Sequence, residues 1–242
     1  MGRFKNKAFT LAEVLIVLGI IGVVTAMTIP NLIKNYQKQV TVNRLKSAYS
    51  TLYQALRMSQ VDNGNVEQWD QLSEIASYEI QKRFVEKYFL PYMKNVKICE
   101  NKNECFAEKT YYLDGTETSL VATGQHPVFL VLSNGTTIKI MSRKGYYIID
   151  IVIDINGKAK PNIYGKDIFL LLVRYRADGL EGYWGPDQKV GELYFQGQGL
   201  SIDKLKSTGP YPCSKSEGSG RGSYCGALIM QSGWKIPDDY PW

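Results

Sequence analysis

The sequence predicts an α+β protein in which one long N-terminal helix precedes a single head built on an antiparallel β-sheet. An apolar run from Phe9 to Ile29 leads into residues spaced as on a helix, whereas short β-rich runs separated by turn residues begin near Thr110. Helices and strands that occupy separate parts of a chain are typical of this class, and we expect the helix to cover one face of the sheet. A length of 242 residues suffices for such a helix and for one domain with its own core.

The first predicted element is a helix from Phe9 to about Gln60. Its segment 9–30 is apolar and long enough to cross a bilayer. In the segment 31–60, apolar residues recur at spacings of three and four, which places them on one side of a helix that packs on the head. These residues are Val42, Leu45, Tyr49, Leu52 and Leu56. Pro30 lies where the two segments meet, and because proline lacks an amide hydrogen we expect a kink or a local opening there.

The head is predicted to comprise residues 61–242 and to begin with a second helix. This helix is expected from about Leu72 to Met93, after the polar break at 62–65. Its predicted buried side consists of Ile80, Phe84, Val85, Tyr88 and Phe89.

The sheet is predicted from turn residues between apolar runs. Asn134-Gly135 separates the runs 128–132 and 137–141, which predicts a β-hairpin. Two further strands are expected at 146–155 and 168–175.

Basic residues are concentrated at the N-terminus. Arg3, Lys5 and Lys7 lie in a predicted leader of residues 1–8 and, because cytoplasmic flanks of membrane helices carry an excess of Lys and Arg, they place the N-terminus in the cytoplasm and the head on the opposite side. The chain has 29 basic and 23 acidic residues, and without these three the balance is 26 against 23. The sequence pI of about 9.0 therefore gives little indication of a nucleic-acid-binding protein.

The four cysteines form two local pairs, Cys99 with Cys105 and Cys213 with Cys225. An even number of cysteines in an exported domain predicts two disulfides. Free or metal-bound thiols are the alternative, but the chain has no Cys-x-x-Cys sequence and only one histidine, which disfavours a zinc site.

Glu13 is the one charged residue inside the apolar run. A carboxylate deep in a membrane helix costs about 2.5–3.5 kcal/mol on insertion scales, so its presence indicates a function and a partner.

The basic leader ending at Ala8, the sequence Phe9-Thr10-Leu11-Ala12-Glu13 and the position of Pro30 resemble the N-terminal segment of type IV prepilins and type II secretion pseudopilins. The resemblance covers about the first fifty residues.

This resemblance implies cleavage between Ala8 and Phe9 by a prepilin peptidase, followed by N-methylation of Phe9. It implies that the mature protein waits in the bacterial inner membrane, surrounded by lipid, and that an inner-membrane assembly platform adds it to a periplasmic or extracellular filament of like subunits. Glu13 would then pair with the N-terminal amine of an adjacent subunit. The family usually has Gly before the cleaved bond, whereas this chain has Ala8. The pair Cys213 and Cys225 resembles the disulfide-bounded loop near the end of many pilins.

Two other interpretations of the apolar run remain. It is consistent with an ordinary signal peptide cleaved after Val24-Thr25-Ala26, or with a plain uncleaved anchor. Neither accounts for the position of Glu13.

Two acidic loops are candidate calcium sites. Asp154 and Asn156, near Asp150 and Asp167, have oxygen side chains, and so have Asp178 and Asp187. Some pseudopilins in the family that this chain resembles bind calcium in a loop. The spacing is not that of a twelve-residue calcium loop, and Asp-x-Asn-Gly is also a common turn sequence, so no cofactor is predicted.

The sequence favours a structural filament subunit over an enzyme, because it shows no convergent acid, base and nucleophile. Two alternatives are open. One is a DNA-uptake pilin whose abundant aromatic residues stack on single-stranded DNA, although aromatic residues also fill sheet faces and subunit interfaces. The other is an exported enzyme on a membrane anchor.

Overall fold

The computed structural model describes residues 10–72, 76–119, 126–176, 188–207, 209–216 and 220–242. The chain consists of two units, residues 1–40 and 41–242. Four predicted site residues, Ala8, Phe9, Asp178 and Asp187, lie outside the described residues.

The described residues form five α-helices and eight strands. The helices are α1 (Leu11–Asn63), α2 (Tyr78–Tyr88), α3 (Lys102–Cys105), α4 (Ile202–Ser207) and α5 (Cys225–Gln231). The strands are β1 (Val96–Ile98), β2 (Thr110–Tyr111), β3 (Glu117–Thr118), β4 (Val128–Leu132), β5 (Thr137–Arg143), β6 (Ile148–Asp154), β7 (Ile168–Arg174) and β8 (Leu193–Phe195). One long N-terminal helix followed by the strands of an antiparallel sheet confirms the predicted α+β class.

Six of these strands form one antiparallel sheet in the order β1-β4-β5-β6-β7-β8. Strands β2 and β3 form a separate antiparallel pair. The hairpin predicted at Asn134-Gly135 joins β4 to β5 and is confirmed. Gly135 has a φ of 83°, which residues other than glycine rarely adopt, and the Asn134 side chain accepts a hydrogen bond from the Thr136 amide at 3.0 Å.

Within the head, residues 41–63 of helix α1 cover one face of this sheet. The side chains at the predicted helical spacing are in the core: Val42, Leu45, Leu52 and Leu56 are buried, and Tyr49 is half-buried against them. The sheet side of this core consists of alternate residues of the central strands, among them Ile149, Ile151 and Ile153 of β6. Alternation along a strand sends these side chains to the same face.

The second helix is shorter than predicted, and one residue of its predicted buried side is exposed. It begins at Tyr78, and a separate 3₁₀ turn, Leu90–Tyr92, contains the proline that follows it. Phe84, Val85, Tyr88 and Phe89 are buried as expected, but Ile80 is 38% exposed, so its predicted burial was wrong.

The buried position near the start of helix α2 belongs to Gln81 instead of Ile80. Gln81 is fully buried, and Phe84, Val85 and Tyr88 follow it at three, four and seven residues. Its side-chain amide forms hydrogen bonds with the backbone of strand β5, and these bonds offset the free-energy cost of burying a polar group.

The opposite face of the sheet has a second, smaller core. Phe129 and Leu170 from the sheet pack there with Phe106 and with Tyr164, which lies in the loop between β6 and β7. The cysteines of the first predicted pair also belong to this cluster. Both faces of the central strands are therefore buried.

Candidate functional site

The candidate site lies at the start of helix α1, where Thr10 and Glu13 cap the helix reciprocally. One carboxylate oxygen of Glu13 accepts hydrogen bonds from the Thr10 backbone amide and from the Thr10 hydroxyl, both at 2.8 Å. The Glu13 amide donates to the Thr10 hydroxyl oxygen at 3.3 Å. This is a capping box, in which a threonine and a glutamate three residues later satisfy amide groups that the first helical turn leaves unpaired.

The environment of Glu13 is an apolar surface. From Leu11 to Ile33 the large apolar side chains of α1 are about half exposed or more, including Val14 at 45% and Leu18 at 60%. Within the described part of the chain, α1 is the helix that is long and apolar enough to cross a membrane. Where such a helix lies in a membrane, the surroundings cannot solvate a carboxylate, and the capping box then supplies hydrogen bonds that water would otherwise supply.

Pro30 lies inside the same helix. The helix is continuous through Pro30, so the local opening that was one of the two expectations is not observed. Two residues earlier, the hydroxyl of Thr28 donates to the carbonyl oxygen of Val24 at 2.9 Å. Such a bond from a threonine hydroxyl to the carbonyl group four residues earlier is a known local arrangement in helices; the carbonyl group that Pro30 leaves without an amide donor is that of Ala26.

The two predicted cysteine pairs are both joined in the head. Cys99 is bonded to Cys105 and Cys213 to Cys225, so none of the four thiols is free. The second disulfide is deeply buried, with Cys225 fully enclosed. A side chain at Gly165 would meet the sulfur of Cys225, which shows how closely this disulfide packs against the loop between β6 and β7.

Asp154 and Asn156, the calcium candidates that the structure describes, lie at the end of β6. One Asp154 oxygen accepts a hydrogen bond from the Asn156 amide at 3.1 Å, as in an ordinary Asx turn. Its second oxygen is buried and has no hydrogen-bond partner among the described residues. Burial, together with the nearby charge of Asp167, raises the pKa of Asp154 to about 8. Burial therefore favours the neutral carboxyl group over the carboxylate.

Asp167 forms its hydrogen bonds with backbone amides. Its two oxygens accept hydrogen bonds from the amides of Asn162 and Ile163 at 2.7 and 2.6 Å. Burial raises its pKa to about 6, against the lowering effect of these bonds. Among the described residues no group of three or more His, Cys, Asp and Glu side chains is arranged to hold a metal ion.

Sequence reasoning named Glu13 but missed Thr10. The signal was present, because Thr-x-x-Glu before an apolar run is the sequence pattern of a capping box. The structure shows that Glu13 bonds to the residue that immediately follows Phe9 in the chain.

An exposed apolar helix with a carboxylate in its first turn, followed by an α+β head, defines a prepilin-like protein. In agreement with this, the family model of the prokaryotic N-terminal methylation motif matches residues 3–29, which include Ala8, Phe9 and Glu13. The motif implies processing by a prepilin peptidase, and with the apolar helix it suggests a membrane-anchored, exported protein.

The chain belongs to a family described as a family of unknown function (DUF6613), whose model matches residues 31–242. No curated protein and no solved structure matches the chain.

Proposed function

We propose that this protein is a structural subunit of a type IV pilus or of a type II secretion pseudopilus, and not an enzyme. The observation that carries the proposal is the Glu13 carboxylate, which lies on an exposed apolar helix within a matched methylation motif. Such a helix has two environments that satisfy its apolar surface, namely lipid before assembly and neighbouring helices of the same kind afterwards.

Processing begins at the predicted bond between Ala8 and Phe9. Cleavage there creates a terminal amine at Phe9, the residue before Thr10, which binds the Glu13 carboxylate. The basic leader holds the N-terminus in the cytoplasm, where the peptidase removes it and methylates Phe9. The head is then on the far side of the inner membrane.

Assembly transfers the helix from lipid to a bundle of helices. Before this transfer, the hydrogen bonds from Thr10 stabilise the Glu13 carboxylate within its own chain. In the filament, Glu13 meets the terminal ammonium of an adjacent subunit, and a matched pair is far less costly to bury than an isolated charge. The pair fixes the axial register, whereas contacts between apolar side chains hold the filament together.

The test compares Glu13→Leu and Glu13→Gln with the wild-type protein in a host that assembles the filament. Both substitutions should leave the protein in the membrane fraction and should remove it from the sheared filament fraction. Glu79→Gln, at an exposed position in the first turn of α2, is the matched control and should assemble normally.

The same samples report on processing. Mass spectrometry of the N-terminal peptide should show a methylated Phe9 in the wild-type protein and in the control. Filaments of normal abundance from either Glu13 variant would exclude the assembly role of the carboxylate. A mature terminus at Met27 would instead show a conventional signal peptide, and an intact leader would show a plain anchor.

A further inference from the structure

Lys139, in the middle of strand β5, has a fully buried side chain. Its amino nitrogen lies 3.3 Å from a carboxylate oxygen of Asp150, whose side chain is 9% exposed. Ammonium and carboxylate groups pay a large desolvation penalty when they leave water, and hydrophobic pairs of similar size are often at least as stabilising. A stabilising role alone therefore does not account well for this pair.

The strand register fixes the two groups next to each other. Lys139 pairs with Val152 and Met141 pairs with Asp150 across strands β5 and β6, so Lys139 and Asp150 are diagonal neighbours on one face of the sheet. The two strands are central in the sheet, with β4 and β7 on their outer sides. The amine and the carboxyl group therefore have little freedom to separate, which is the condition for a high effective concentration of two reacting groups.

Apolar residues flank Lys139 on the neighbouring strands. Across the strands, the row of residues that contains Lys139 continues with Phe129 on one side and with Val152 and Leu170 on the other. These three side chains belong to the smaller core of the head. Burial lowers the pKa of the Lys139 amine, and the charge of Arg143 acts in the same direction, whereas Asp150 opposes them. Desolvation thus favours the neutral, nucleophilic amine.

The two oxygens of the Asp150 carboxyl group have different surroundings. The oxygen near Lys139 is also 3.6 Å from the Arg143 guanidinium, which stacks on the ring of Tyr146. The other oxygen is buried and has no hydrogen-bond partner among the described residues. A fixed positive charge beside one oxygen stabilises the negative charge that develops when a nucleophile adds to the carboxyl carbon.

We propose that Lys139 and Asp150 join in an intramolecular isopeptide bond. The Lys139 amino nitrogen bonds to the carboxyl carbon of Asp150, and one carbon–oxygen bond of the carboxyl group breaks. Of the three protons on the lysine ammonium, one remains on the new amide and two leave with the released oxygen as water. The ammonium first passes one of these protons to the carboxylate, which gives the neutral amine that adds to the carboxyl carbon. The reaction is neither an oxidation nor a reduction and needs no co-reactant.

The product replaces a buried ion pair by a neutral amide and links the two central strands covalently. Separation of β5 from β6 would then require the breaking of a covalent bond as well as of the ladder hydrogen bonds. This inference does not depend on the proposed filament function, because it uses residues of the head alone.

The test is a tryptic digest of the denatured full-length protein. Trypsin cleaves after free lysine and arginine, so an unmodified chain yields peptides 110–139, 140–143 and 145–158. The isopeptide bond blocks cleavage after Lys139 and joins peptide 110–143 to peptide 145–158. The expected species has the summed mass of these two peptides less one water molecule, and its fragment ions place the link at Lys139 and Asp150.

The digest contains its own control. Lys109 and Glu117 also form an ion pair, at the shorter distance of 2.9 Å, but both side chains are more than half exposed. Because water solvates this pair, cleavage after Lys109 should be complete and should show no linkage. This comparison separates burial from mere proximity.

Asp150→Ala should release peptides 110–139, 140–143 and 145–158, whereas Lys139→Met, which lacks the cleavage site, should release 110–143 and 145–158 as separate species. If either variant fails to fold, the wild-type digest still decides the question. Release of peptides 110–139 and 145–158 as separate species from the wild-type protein would overturn the proposal and leave Lys139 and Asp150 as an ion pair.

Discussion

Gln81 of helix α2 and Ser142 of strand β5 exchange two hydrogen bonds, so that a side-chain amide takes the place of a neighbouring strand. The Gln81 amide nitrogen donates to the Ser142 carbonyl oxygen at 2.9 Å, and the Ser142 amide donates to the Gln81 oxygen at 3.0 Å. The pairing of β4 with β5 extends along β5 only as far as Ile140. Gln81 therefore satisfies backbone groups of β5 beyond the end of β4, and it fixes how α2 is rotated on the sheet.

We expect Gln81→Leu to destabilise the head by about 2–4 kcal/mol, because it leaves a buried amide and a buried carbonyl group of Ser142 without partners. The measurement is urea unfolding of the full-length protein in detergent, followed by tryptophan fluorescence. Gln54→Leu is the matched control, since Gln54 is exposed on α1 and bonds only to Ser50 of the same helix among the described contacts. Equal unfolding midpoints for the two variants would show that the bonds to Ser142 contribute little.

The two disulfides should contribute different amounts to the free energy of unfolding. Cys213 and Cys225 are separated by 12 residues, and Cys99 and Cys105 by 6. Loop-closure entropy predicts a loss of about 3 kcal/mol for Cys213→Ser with Cys225→Ser and about 2 kcal/mol for the other pair. Unfolding free energies of the two double variants measure the difference. The entropic account fails if removal of the shorter loop costs more.

The stability of the head should fall as the pH rises through the range in which Asp154 titrates. Its pKa is about 8 in the folded protein and near 3.8 when unfolded. A folded-state pKa above the unfolded value gives stability that is fully present below the unfolded pKa and is lost as the pH rises through the folded pKa. Asp167, with a pKa of about 6, acts in the same direction.

We therefore expect Asp154→Asn to reduce this loss of stability between about pH 4 and pH 8, because asparagine keeps the turn acceptor and carries no charge. Urea unfolding at several pH values measures the dependence. Asp203→Asn, at an exposed position of α4, is the control and should follow the wild-type curve. An Asp154→Asn curve parallel to the wild-type curve would show that Asp154 is not protonated in the folded head.

Thr10 should matter for assembly through its hydroxyl group. Thr10→Val keeps the shape of the side chain but removes the cap, which costs about 1 kcal/mol of helix stability, whereas Thr10→Ser retains a hydroxyl. Under the proposed function, the valine variant should give fewer filaments than the serine variant at equal amounts in the membrane. Equal filament yields would mean that Glu13 does not need Thr10.

The local patterns of the sequence predicted most of the elements. The apolar spacing from Val42 to Leu56 predicted the side of α1 that is buried, and Asn134-Gly135 predicted the hairpin. The pattern was wrong at Ile80, because periodicity alone treats an apolar residue as buried and a glutamine as exposed. Gln81 reverses that rule through bonds to Ser142, which lies 61 residues away in the chain.

By itself, the sequence determined the N-terminal segment of this protein: the leader charges, the apolar length and Glu13 follow from consecutive residues, and the methylation motif matches them. The sequence also determined the cysteine pairs, because each closes a short loop. Only the tertiary structure decided which charged groups are buried. Lys139 and Asp150 meet through the register of β5 with β6, and Asp154 is fully buried near the charge of Asp167. The burial of a charged group depends on how separate segments pack together, and the residue pattern within one segment does not show that packing.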